Sequence, residues 1–92
     1  MNIIWSDEAR KTYDNTIDDL IDKWQIEIAL DFEEKTNSLL DHLKNYKKFC
    51  PPSKKKKIRK CVIHKNTSLI YKINKNNIEL VTFIDNHTEH NY

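Results

Sequence analysis

Residues 54–60 read Lys-Lys-Lys-Lys-Ile-Arg-Lys, six cations in seven positions, and no fold buries such a run unpaired. The segment must follow a surface while Ile58, Cys61, Val62 and Ile63 tie it to a core. Two short apolar runs come after it, 69–73 and 78–84. A basic strand on a small sheet is a place to hold something negative. Charge divides the chain in the same sense: residues 1–46 carry 11 acidic and 5 basic side chains, residues 47–92 carry 3 acidic and 11 basic. The acidic first half reads as scaffold and the basic second half as the working surface, with a polyanionic or acidic partner. The bland reading of Lys54 to Lys57 is a solvated stretch that keeps a sheet edge from pairing.

With 92 residues, 38% hydrophobic and 33% charged, the chain reads as one globular domain spanning 1–92 with a single modest core. It contains no glycine, which removes the phosphate loop, the dinucleotide-binding turn and the nucleophile elbow, since each depends on glycine geometry. No apolar run reaches the length of a membrane span, and the opening residues lack the basic start and apolar core of a signal peptide, so a cytoplasmic location is expected. Cys50 and Cys61 fit no Cys-x-x-Cys spacing. In that compartment they are expected to be reduced thiols, with no metal and no cofactor implied.

The four residues 2–5 favour a strand. Ser6, followed by Asp7 and Glu8, is a helix start. Ala9, Tyr13, Ile17, Leu20, Ile21 and Trp24 then recur at helical spacing, giving an amphipathic helix of about 17 residues. The stripe loses phase near Trp24 and restarts at Ile28 or Ala29 through Phe32, Leu39, Leu40 and Leu43, a second helix ending around residues 44–46. Pro51 and Pro52 enforce a loop. Three strands are expected at 58–64, 68–73 and 78–85, joined at asparagine-rich breaks that take a left-handed backbone most easily. The fold expected is α+β, β-α-α-β-β-β, with a helical hairpin on one face of a small, mainly antiparallel four-stranded sheet. Its other face, with Arg59 and Lys72, is expected to be open. Trp5 and Trp24 are read as anchors between helix and sheet.

Several stretches resemble one family. Ile4-Trp5-Ser6-x-x-Ala9, Trp24 with Ala29 and Phe32, Leu43 before a proline-containing loop, Ile58-Arg59-Lys60, Leu69-Ile70-Tyr71-x-Ile73, Ile78-Glu79-Leu80 and Phe83-Ile84-Asp85-Asn86-His87 together resemble the RelE/ParE superfamily. These are toxins of bacterial type II toxin–antitoxin modules, the plasmid-stabilisation proteins, and the resemblance is closer to the ParE-like branch. It implies a protein that either inhibits DNA gyrase or cleaves messenger RNA on the ribosome without a metal, and that is neutralised by a cognate antitoxin in a hetero-oligomer. Cleavage would call on His87, His64 and His90 for proton transfer. Arg59, Lys57, Lys60, Lys65 and Lys72 would hold the target or its phosphates. Two departures weaken the nuclease reading. Ser68 stands where RNA-cleaving members commonly carry arginine, and His87 replaces the arginine usual on the last strand. A toxin-like fold that only binds antitoxin is the third reading. Arg59 has a structural alternative too, an ion pair with Asp18, Asp19 or Asp22.

Overall fold

The computed structural model of the protein describes residues 1–55, 57–87 and 92. Its elements are β1 (Asn2–Trp5), α1 (Asp7–Lys23), α2 (Ile26–Asn45), β2 (Ile58–His64), β3 (Thr67–Ile73) and β4 (Asn77–Asp85). The β-α-α-β-β-β order and every expected boundary agree to within about two residues, the usual uncertainty of element ends. The strand order, β1-β4-β3-β2, follows only from the tertiary structure. β1 lies parallel to β4, and the other pairs are antiparallel.

Ser6 begins α1 for a local reason and also attaches it to the sheet. Its hydroxyl accepts from the Ala9 backbone N–H at 2.9 Å and donates to the Val81 carbonyl at 2.9 Å. Ser6→Ala therefore removes a cap and leaves a β4 carbonyl unpaired, and should lower stability by about 1–2 kcal/mol in urea denaturation.

The two helices cover one sheet face. That face presents Ile3 and Trp5 from β1, Cys61 and Ile63 from β2, Leu69, Tyr71 and Ile73 from β3, and Ile78, Leu80 and Phe83 from β4. Phe32 of α2 is fully enclosed at its centre. Its ring stacks on Tyr13 at 5.6 Å and meets Phe83 edge-on at 6.4 Å, while Trp5 stacks on Phe83 at 5.7 Å. Arg10 lies 4.2 Å over the Trp5 ring and closes the outside of this aromatic group.

Three expectations need correcting here. Trp24 is 63% exposed rather than an anchor, because α1 ends at Lys23 and the chain leaves the helical path at Trp24, with φ −129° and ψ −124°. Among the described residues the left-handed backbone falls on Lys57, φ 71°, and not on an asparagine. The β3–β4 turn instead uses asparagine side chains, Asn74 Nδ2 donating to Asn77 Oδ1 at 2.8 Å. Finally, the face away from the helices is open only in part. Register puts Lys60, Val62, Ser68, Ile70, Lys72, Glu79 and Ile84 on it. Val62 is 70% exposed, whereas Ser68, Ile70 and Ile84 are buried.

Candidate functional site

Arg59 occupies the second position of β2, opposite Tyr71 in register. Tyr71 belongs to the helix-side core, so Arg59 is on that side too and not on the uncovered face where it was expected. Its Nη1 donates to the Cys50 carbonyl at 2.6 Å and to the Lys48 carbonyl at 3.4 Å. The ion pair with an acidic helix is not formed either: the described ion pairs are Lys35–Asp31, Lys44–Asp41 and Lys72–Glu79. The reason is topological. α2 delivers the loop after it directly onto the start of β2, and the nearest acceptors for a guanidinium there are carbonyls with no helical partner. Tyr71 makes a parallel attachment, its hydroxyl donating to the Lys47 carbonyl at 2.7 Å.

Burial pushes the Tyr71 phenol above its ordinary value of 10.0, against the smaller opposing effects of the Cys50 backbone N–H and the Arg59 charge. Tyr13 is also raised, by burial first and then by Glu33 and Asp14, with Arg10 opposing. A phenol raised in the folded chain contributes stability that is complete below pH 10 and disappears as pH climbs through the folded value. Unfolding free energy should accordingly fall above pH 10. Tyr71→Phe should make that fall shallower, as read from denaturation midpoints between pH 9 and 11.

The cysteines, expected as free thiols, form a Cys50–Cys61 disulfide with Cα atoms 5.3 Å apart. Sequence spacing does not reveal this pair because the loop folds back as a short ribbon beside β2. Pro52 bridges to Arg59, Ser53 N–H donates to the Ile58 carbonyl at 2.9 Å, and Lys60 N–H donates to the Pro51 carbonyl at 3.1 Å. Cys50 falls opposite Cys61 in that antiparallel register.

The expected site residues separate into two groups. Lys57, Arg59, Lys60 and Lys72 lie toward the start of β2, where Ile58 pairs with Lys72. Lys72 is 3.6 Å from Glu79, and the Lys55 ammonium sits 5.7 Å from the Tyr92 ring. His64 and Lys65 lie at the far end, about 17 Å away at roughly 3.3 Å per strand residue. His64 is half-buried with Nδ1 enclosed and without a hydrogen-bond partner. His87 joins that end: its Nε2 is 2.6 Å from Asn66 Oδ1, and its backbone N–H donates to Asp85 Oδ1 at 2.8 Å. Ser68, at the arginine position of RNA-cleaving members, is buried and donates to Asn86 Oδ1 at 2.7 Å. His90 lies outside the described residues. A second surface feature escaped the sequence reading. His42 stacks on Tyr46 at 4.8 Å and meets Phe49 at 4.3 Å, forming an exposed aromatic cluster at the base of the loop. The i, i+4 spacing of His42 and Tyr46 was the available signal.

No protein-family model matches the sequence, and no curated protein matches it. Solved structures do. The chain is similar to a chain of the chromosomal ParDE toxin–antitoxin system from P. aeruginosa, with a TM-score of 0.69 and 15% identity over 92% of this chain and 95% of that one. It is also similar to a copper-bound mutant toxin from Helicobacter pylori, with a TM-score of 0.65 and 17% identity over 95% and 96% of the two chains. The helical hairpin, the β1-β4-β3-β2 sheet and the end-to-end coverage of both neighbours show that the chain shares the fold of these two structures.

Proposed function

We propose that the protein is the toxin of a type II toxin–antitoxin module and acts in the ParE manner, inhibiting DNA gyrase by binding it until a cognate antitoxin neutralises it. The observation that carries this reading is that Arg59 commits its guanidinium to the Cys50 and Lys48 carbonyls and lies about 17 Å along β2 from His64, which leaves Lys65 as the expected cation beside the histidines. Metal-free RNA cleavage needs a base, an acid and cations within hydrogen-bond reach of one phosphate. Inhibition by binding needs only a surface. The likeness to a ParDE chain supports an antitoxin as partner in a hetero-oligomer. No described helix is long and apolar enough to cross a membrane, which fits action in the cytoplasm. On this reading the protein is not an enzyme.

The second reading is a ribosome-dependent messenger-RNA endoribonuclease. It is favoured by one feature, the exposed His87 ring steadied by Asn66. Purified protein titrated into a gyrase supercoiling reaction and into translating ribosomes separates the two. Loss of supercoiling with intact messenger is the expected result, and cleaved messenger with undisturbed supercoiling overturns it. Activity in neither assay, with no growth arrest on induction, leaves the toxin-like fold that only binds antitoxin.

A further inference from the structure

The disulfide sits where the sheet has a free edge. β2 is the outermost strand on its side, and residues 51–53 lie along its first half. Two backbone hydrogen bonds hold this flap, Ser53 N–H to the Ile58 carbonyl and Lys60 N–H to the Pro51 carbonyl. Pro51 and Pro52 have no N–H to donate, so the ribbon cannot add the bonds a regular strand would. Opposing forces are concentrated beside it. Lys54, Lys55 and Lys57 are exposed and of like charge, and Lys57 holds a left-handed backbone without being glycine. Arg59 grips the Cys50 carbonyl and Tyr71 grips that of Lys47, but both attachments lie upstream of the flap. The bond to Cys61 adds a covalent tie at Cys50 itself, where the flap begins, and beyond it the two backbone hydrogen bonds hold residues 51–53.

We propose that the Cys50–Cys61 bond is a redox latch that keeps the proline flap clipped over the free edge of β2. Reduction breaks the S–S bond by attack of a small-molecule thiolate on one sulfur. A second thiol then resolves the mixed disulfide, so that two small thiols lose two electrons and pair as their own disulfide while Cys50 and Cys61 each gain a proton. The flap then leaves the edge by bending at Pro51, driven by lysine repulsion and relief at Lys57. The Lys60 N–H and Ile58 carbonyl become available to an extended partner segment. Oxidation restores the cover. Disulfides that work in reducing compartments are commonly of this transient, sensing kind. The latch does not depend on which target the protein acts on.

Residue-resolved amide exchange on the full chain tests it, with oxidised protein compared with protein held in excess dithiothreitol and with the double variant Cys50→Ser, Cys61→Ser. The expected result is exchange at Lys60 and Ser53 accelerated tenfold or more on reduction, with Leu69 and Tyr71 unchanged. Trypsin cleavage after Lys54 and Lys55 should rise to a similar extent. Added salt should slow the flap's opening in the reduced protein by screening the lysines. Equal protection of Lys60 in both redox states overturns the latch. Loss of protection at every amide together does so as well, because it marks a staple for the whole fold. If the double variant fails to fold, reduced wild-type protein alone decides. Thiols that stay fully alkylatable in a glutathione buffer poised to oxidise exposed dithiols also overturn it.

Discussion

Phe32→Ala should lower the stability of the fold by about 3–5 kcal/mol, the range for deleting a fully buried aromatic ring. A chain of this length has a total stability of roughly 5–14 kcal/mol at the usual 0.05–0.15 kcal/mol per residue, so the substitution removes about a fifth or more. The site has little room to collapse. Phe32 is fully buried, it meets Tyr13 and Phe83 through ring contacts, and its carbonyl accepts from the enclosed Thr36 hydroxyl at 2.8 Å. Those contacts join α2, α1 and β4, so a cavity there loosens both helices from the sheet together. Urea denaturation followed by the fluorescence of Trp5, which lies in the same aromatic group, provides the measurement. A midpoint shift worth less than about 1.5 kcal/mol would show that the helices repack around the gap and that Phe32 is not the centre of the core.

Arg59→Glu should cost about 3 kcal/mol or more. The guanidinium makes two charge-assisted bonds to backbone carbonyls, worth about 1.5–3 kcal/mol. A carboxylate in its place leaves those carbonyls unpaired and adds a third acceptor facing them. The loop after α2 should then loosen around Lys48, while the disulfide still ties Cys50 to Cys61 of β2. Arg59→Lys should recover part of the loss, since an ammonium can reach one carbonyl but cannot fork. Lys60→Ala, one residue away on the other sheet face, should remain within about 0.5 kcal/mol of the parent. Growth inhibition measured on the same three variants tells whether Arg59 acts by positioning this loop. A toxicity loss in Arg59→Glu that tracks stability, with Lys60→Ala retaining both, supports positioning. A fully stable Arg59→Glu protein overturns the positioning role of Arg59.

Much of the architecture was legible in residue order because its signals are local. Ser6, Asp7 and Glu8 mark a helix start by capping and charge. The three- and four-residue recurrence from Ala9 to Leu20 marks a buried stripe, and the paired prolines enforce a break. The helical spacing runs on through Ile21 and Trp24, yet both are exposed, because periodicity does not say where a helix leaves its core. The site was less legible. Arg59 was placed on the wrong face because a strand's alternation is visible in sequence, but which alternating set meets the helices depends on its neighbour. Pairing with Tyr71 decides that. The disulfide is not legible in sequence for a related reason. An 11-residue separation is compatible with many geometries until residues 50–53 are seen to fold back along β2.

Sequence by itself determined the elements, their order and the gathering of positive charge in the second half, since capping, periodicity and composition act over a few neighbouring residues. Only the tertiary structure decided the β1-β4-β3-β2 order, the bond between Cys50 and Cys61, and the distance between Arg59 and the pair His64 and His87. Those outcomes depend on which strand edges meet. That is set by simultaneous burial of both helices against one sheet face, a condition no short stretch of the chain contains.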